Sequence, residues 1–464
     1  MRAVDEQTRE PIAVRLELRD ARGRLVRVRP RQAVVMKDGV YFDGSVDLQL
    51  RRGSYTFVVE AGPEFRTRPG RFEIDRHAQD AKEVSLLRRV DMNEEGWYAG
   101  DLDVQLPDVG IELAMRARGV DWAAIASPVN RRGKCVKLRN PPSAESAALA
   151  PPFFGNWASL DHRRGGALLL LNAGADFDVC RYPIGGSSLT ALAAAHRGEA
   201  SVIALQPFAW DLPLWLAHGG VDAIQVIHRH SLHNGVVDSE GRGRPRDKSR
   251  YPGVEGNGRY SEAIFHQALN CGMRIAPSAG SGAGVNANAL GTNRTYVHCG
   301  DACTPDSWID GLKAGRVSVT NGPLLRTMVA GVPPGATFVL EPGQTRDFQI
   351  GLNLAFYDET HVEYLEIIKN GESLHEIRLD QLAANKGRLP PVSFDSSGWF
   401  LVRAVTDNPR TYQFATTGPY YVESAEGPRI SRQGVAFLLS WLDDAAEKFA
   451  DNPAVVADIE AARP

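Results

Sequence analysis

The sequence predicts a multidomain chain of the α/β plus all-β class, with a strand–helix domain flanked by two β-sandwiches. Three observations carry this. The chain has 464 residues, too many for one ordinary hydrophobic core. Its apolar residues recur with period two up to about residue 90, give way to strands alternating with helices, and return to period two after about residue 325. Its 45 glycines and 28 prolines are spread along the chain rather than clustered, as many turns require.

In residues 1–90, Val14, Leu16 and Leu18 fall on one face of a strand and Arg15 and Glu17 on the other. Further strands at 46–50, 55–60 and 71–75 are separated by turn residues at 21–23, 38–39 and 52–54, the spacing of a small β-sandwich. No aromatic platform marks it as a sugar-binding module, so a structural cap is the expectation. Residues 91–325 predict helices at 111–118, 189–195, 211–218, 260–271 and 306–314, the second capped by Ser187 and Ser188. Strands are expected between them at 123–126, 201–205, 223–227, 274–278, 295–298 and 317–320. The apolar run 166–172 reads as a strand buried on both faces, and the alternation as a whole predicts a mainly parallel sheet. Residues 326–430 return to strands at 347–356, 364–368, 399–405 and 419–422, with a turn at 369–372: a second sandwich. A final helix over 431–464 starts at Ser431 and carries Val435, Leu438, Leu439 and Leu442 on one stripe.

Several function classes are disfavoured at once. A net charge of −3 gives no electrostatic case for nucleic acid or an anionic membrane as partner. No apolar run approaches the length of a membrane span. The N-terminal residues lack the apolar core of a signal peptide, which reads as cytoplasmic, or as periplasmic or secreted had a leader been trimmed. Five cysteines are expected to form no disulfide framework, and Cys299-x-x-x-Cys303 beside His298 lacks the second pair of a metal clip. No Gly-x-Gly-x-x-Gly precedes a helix, no Walker sequence occurs, and no serine elbow is present.

The chemistry concentrates in residues 96–107, a strand ending at Pro107. Leu102 and Val104 point one way, while Asp101, Asp103 and Gln105 point the other. Burying such a row of polar groups is costly unless they line a site. With Gly100-Asp101-Leu102 and the polar pair after it, this stretch resembles the first metal-binding motif of the polymerase and histidinol phosphatase (PHP) metallohydrolases. Its neighbour is the carbaryl-hydrolase-type (CehA/McbA-like) branch, which carries Gly-Asp-Leu-His-x-His. The resemblance extends to 270–281, to 320–325, and to 399–404 and 417–423. It implies a PHP-like distorted β/α barrel, with the site at the C-terminal ends of the strands, and a metal-activated water acting on an ester, amide or phosphoester.

Asp103 and Gln105 stand where that branch keeps histidines, and Gly282 and Gly284 stand where its last motif keeps an aspartate and a histidine. That predicts an empty opposite wall and, at most, one weakly held divalent metal ion on Asp103 and His230. Asp101, Asp103 and His230 are the candidate catalytic groups. Gln105, Asn130, Asp211, His228, Ser278, Ser281 and Asn321 are candidate substrate contacts, collected at strand ends. Asp101, Asp103, Gln105, His230, Ser281 and Asn321 are expected to meet in one concave pocket. His228-Arg229-His230 is expected to project two imidazoles from one side of a strand. Residues 231–259 read as a long basic loop whose Arg246 serves as a clamp for an anionic or sugar-like substrate. Two readings stand: a hydrolase with a remodelled mononuclear site, or an inactive relative that binds a small ligand such as a carbohydrate.

Overall fold

A computed structural model describes residues 1–75, 80–106, 109–131, 134–137, 151–174, 177–356 and 360–463. Pro107, the expected strand stop, lies outside them. The first strands are β1 (Arg2–Asp5), β2 (Ala13–Asp20), β3 (Val34–Met36), β4 (Gly39–Asp43), β5 (Gly53–Glu60), β6 (Arg68–Ile74) and β7 (Glu83–Leu86). Five of them form a sheet in the order β3-β4-β2-β5-β6, and β1 pairs in parallel with β7. The period-two pattern explains the core: Val14, Leu16, Phe42, Phe57 and Val59 face inward and pack with Ala3, Val84 and Leu86 from the β1–β7 pair.

The next elements are β8 (Trp97–Val104), α1 (Ile111–Arg118), β9 (Trp122–Arg131), β10 (Lys134–Val136), β11 (Phe153–His162) and β12 (Ala167–Leu171). They continue as α2 (Ser188–Arg197), β13 (Ser201–Ala204), α3 (Leu212–Ala217), β14 (Ala223–Ile227), β15 (Ser231–Leu232), β16 (Gly235–Val236) and α4 (Gly256–Asn270). Then come β17 (Ala276–Ala279), β18 (Arg294–His298), α5 (Pro305–Lys313) and β19 (Val317–Thr320). The strand order is β17-β14-β13-β12-β11-β9-β8-β18-β19. The sheet is mixed where a mainly parallel one was expected. β11 and β12 are joined only by Arg163–Gly166, which allows a hairpin but no crossover, and β12 is antiparallel to both its neighbours. β11 carries no clean period and was missed in the sequence.

The sheet curls. Its edge strand β17 returns to β18, where the Thr295 hydroxyl accepts from the Ala279 amide at 2.8 Å and lies 3.3 Å from the Ala279 carbonyl. One face packs against α2, α3 and α4 through Leu168, Trp215 and Phe265. On the other face Trp122 lies flat on Trp308, with ring centroids 4.6 Å apart.

The remaining strands are β20 (Leu324–Val329), β21 (Thr337–Val339), β22 (Arg346–Phe348), β23 (Ile350–Ala355), β24 (Val362–Lys369) and β25 (Glu372–Arg378). After α6 (Leu379–Ala384) follow β26 (Val392–Phe394), β27 (Gly398–Thr406), β28 (Phe414–Thr417) and β29 (Tyr420–Glu423). The main sheet runs on into this region without a break, because β19 pairs with β28 from Ser318↔Thr417 to Thr320↔Ala415. The smaller pairs β20–β23 and β22–β26 lie against it around Phe348, Phe394 and Phe400, a sandwich-like layer. Helix α7 (Arg432–Lys448) is capped by Ser431, buries Leu438, Trp441 and Leu442 on the α3–α4 face, and is followed by α8 (Pro453–Ala461). The fold is mostly β, in several sheets, with α2, α3, α4 and α7 on one face of the main sheet and α5 on the other. Among the described residues no helix is long and apolar enough to cross a membrane.

Candidate functional site

Every residue of β8 is buried, so Asp101 and Asp103 sit inside the protein. Asp101 is held by backbone amides. Oδ1 accepts from Ser281 at 2.9 Å and Asp103 at 3.2 Å, and Oδ2 accepts from Gly291 at 2.8 Å. Burial outweighs those bonds and pushes its pKa up to about 6. Asp103 is gripped by Arg229, which follows β14: Nε donates to Oδ2 at 2.8 Å and Nη2 to Oδ1 at 2.9 Å. Gln105 donates to the same Oδ1 at 3.3 Å. A bidentate guanidinium thus covers the carboxylate that was expected to ligate a metal.

The opposite wall, expected to be empty, is filled by backbone. Gly282 and Gly284 have φ of +68° and +87°, and a Cβ on Gly284 would stand 2.4 Å from the Gln105 carbonyl oxygen. Ala283 extends β8 by a parallel bridge to Val104, with Gln105 N donating to Ala283 O at 2.8 Å and Ala283 N to Asp103 O at 3.1 Å. Asn293 and Asn288 fasten the rest of the loop, donating to the carbonyls of Ser281 and Ser231, among others. Small residues let the chain lie directly on the strand end where longer side chains would have projected into a cavity.

The two histidines do not join this cluster. Residues 228–231 form a turn rather than the expected continuing strand, with Ser231 N donating to His228 O at 2.8 Å. His228 Nε2 lies 3.1 Å from the Ser261 hydroxyl on α4, and its ring packs edge-on to Phe208 and His230. Burial drives both imidazoles toward the neutral form, His230 down to about 4 and His228 well below its ordinary value. Nδ1 of His230 is buried without a hydrogen-bond partner among the described residues. One neutral imidazole and a carboxylate already neutralised by arginine do not fit a hydrolytic metal centre.

The other candidates are scattered into local roles. Asn130 donates to Asp161 at 3.2 Å, and Asp211 accepts from the Ser188 hydroxyl at 2.7 Å. Asn321 ties the β19 end to Tyr412 O at 2.9 Å and Phe414 N at 2.8 Å. Ser281 joins the Asp101 cluster through its amide, while Ser278 Oγ is buried without a partner among the described residues. Of the six residues expected to share one pocket, Asp101, Asp103, Gln105 and Ser281 meet at the strand end, while Asn321 is tied to Tyr412 and Phe414. Three clefts of about 580 to 630 Å³ open elsewhere, and none is lined by Asp101, Asp103, Gln105, His230, Ser281 or Asn321. Sequence reasoning missed Arg229, which stands 126 positions from Asp103 and reaches it only through the fold.

The expected basic clamp is a pinned strap. β15 and β16 pair as a short hairpin, and the Arg246 side chain is buried in ion pairs with Glu240 and Asp238. Arg244 bonds Asp444 at 2.8 Å and lies over the rings of Phe437 and Trp441 on α7. Arg246 therefore serves the fold, because its guanidinium has no face left for a substrate. The cysteine expectation also needs correction: Cys135 and Cys180 are joined by a disulfide. Asp178 lies beside them, and the two sulfurs of this His-free cluster are committed to each other. Cys299 and Cys303 face each other at 2.7 Å between Sγ atoms.

No protein-family model matches the chain, and no curated protein matches it. Among solved structures, fibronectin(III)-like modules of Clostridium thermocellum CbhA align over 29% of this chain at 11% identity and a TM-score of 0.16. The alignment spans 63% of that chain's length. The N-terminal four Ig domains of Dscam1 isoform 6.9 align over 89% of this chain and 91% of that one, at 10% identity and a TM-score of 0.15. These are likenesses of β-rich chains at TM-scores too low to carry an argument about fold or function.

Proposed function

We propose that this chain is a non-hydrolytic relative of the PHP metallohydrolases, in which the ancestral metal position has become an internal latch. The curled sheet with helices packed against it supports a distorted β/α barrel. The carrying observation is the Arg229–Asp103 pair: the guanidinium supplies the positive charge that a metal ion would otherwise bring to that carboxylate. The loop through Ala283 closes the mouth over it. Of the two readings of the sequence, the ligand-binding relative is the one this geometry favours, with a small molecule as partner and no metal in the strand-end cluster. The Cys135–Cys180 bridge supports an oxidising compartment over the cytoplasm.

Metal analysis of the purified full chain, combined with assays on generic phosphoesters and carboxylesters, tests this. The expected result is well under one equivalent of Zn, Mn or Fe per chain and no turnover when those metals are added. Two tightly bound ions per chain, or metal-dependent turnover abolished by Asp103→Ala, would refute it.

A further inference from the structure

A cluster of buried charge lies away from the strand-end cluster, where α4 meets the C-terminal strands. A cleft of about 580 Å³ opens there between the strap at Arg250–Glu255, the outer face of α4, β24, the β24–β25 turn and β27. Three buried charged side chains contribute to its lining. Arg403 donates through Nη1 to Glu262 Oε2 at 2.8 Å and through Nε to Glu366 Oε2 at 3.1 Å, and Tyr412 OH donates to the same Glu262 Oε2 at 2.8 Å. Glu262 is only 2% exposed, yet its second oxygen, Oε1, has no hydrogen-bond partner among the described residues. A buried carboxylate oxygen without a donor is costly, and the group that would satisfy it is a donor from outside the chain.

The surroundings narrow that donor's chemistry. Arg250, Arg259 and Arg403 on this cleft are matched by Glu255, Glu262 and Glu366, so the lining is charge-balanced and offers a net ion no gain. Arg259 is held in place, donating to Tyr364 OH at 2.6 Å and Glu255 at 3.1 Å and stacking over the Tyr412 ring at 4.7 Å. Tyr251 and Pro252 of the strap supply an apolar edge. Fixed donors, one free acceptor and an aromatic edge, in a volume suited to a small ligand, match a molecule whose hydroxyls both donate and accept.

We propose that this cleft is a binding site for a neutral polyhydroxyl ligand, a mono- or disaccharide, whose hydroxyl donates to Glu262 Oε1. This stands independently of the metal reading, since the two sites share none of the residues named. Sugar binding by a chain that also holds tight metal would sink the metal reading alone, and a metal-free chain that binds no sugar would sink this proposal alone.

The test is calorimetric titration of the full chain with glucose, galactose, maltose, cellobiose and trehalose, with glucuronate and choline as charged controls. At least one neutral sugar should bind at concentrations up to about 10 mM, and neither charged control should. Ala263→Phe, which fills the cleft from α4 without touching the ion pairs, should weaken that binding by at least about tenfold while leaving the melting temperature unchanged. Glu262→Gln should also weaken it, and circular dichroism reports whether that variant folds. No binding of any of the five sugars, stronger binding of a charged control, or sugar binding indifferent to Ala263→Phe would overturn the proposal.

Discussion

The guanidinium of Arg229 meets the carboxylate of Asp103 through two parallel hydrogen bonds of 2.9 and 2.8 Å, both groups buried. Removing one partner strands the other's charge. Arg229→Ala should therefore cost about 3–5 kcal/mol, measured by urea unfolding, and Asp103→Ala a similar amount. The double variant Arg229→Met with Asp103→Leu should recover much of that loss. A single Arg229→Ala within 1 kcal/mol of wild type, roughly, would show that the pair does not hold the strand ends together.

Closure of the mouth by backbone makes a separate prediction. Gly284→Ala adds a Cβ at φ +87° and 2.4 Å from the Gln105 carbonyl oxygen, so it should destabilise by at least about 2 kcal/mol. Gly23→Ala, also at positive φ but with open space around it, should cost less. Equal losses in thermal melts would mean that the loop does not press on β8.

Acid stability follows from the buried titrating groups. His266, beside Arg403 and Trp399, is pushed down to about 3 by burial, then by the Arg403 charge. Because the unfolded chain takes up that proton first, stability falls as pH drops below about 6.5, by about 2 kcal/mol per such histidine at pH 5. His228 and His230 act in the same direction. Asp101 and Asp211 act oppositely: each is raised to about 6 by burial, so the folded chain binds their protons first and stability rises between about pH 6 and 4. Urea midpoints at pH 7 and 5 should thus fall less for His266→Gln than for wild type, and more for Asp101→Asn.

The disulfide gives a fourth expectation. Cys135 and Cys180 are 45 positions apart, so their bond closes a long loop. Cys135→Ser with Cys180→Ser should lower stability by about 2–4 kcal/mol. Mass spectrometry of the unreduced wild type should find this pair linked.

The sequence exposes what local period controls. The half-buried strands around Leu16 and Phe57, the all-apolar β12, and the caps of α2 and α7 could each be read within a few residues, because burial on one face or two writes itself into the pattern. Mixed polarity hid β11, and a hairpin of four connecting residues reversed β12 against expectation. In the candidate site Asp101 and Asp103 were legible as costly polar groups on a buried strand. Ser281 was expected beside them, but Arg229 and Gly291 were not legible, since they reach the carboxylates only through tertiary contact. The turn at His228–Ser231 sends the His228 imidazole to α4 and the arginine to Asp103, a division that no spacing in the sequence specifies.

The ladder from β19 into β28 bears on how the chain is made. Val319 waits for Thr416, as Trp97 waits for His298, so the central sheet stays incomplete until nearly all of the polypeptide has left the ribosome. During synthesis β8 emerges early, with its two aspartates and its tryptophan uncovered. A stop codon or protease cut between β19 and β28 would leave an open edge in a sheet built to be continuous, and such fragments should aggregate rather than persist as a smaller folded unit.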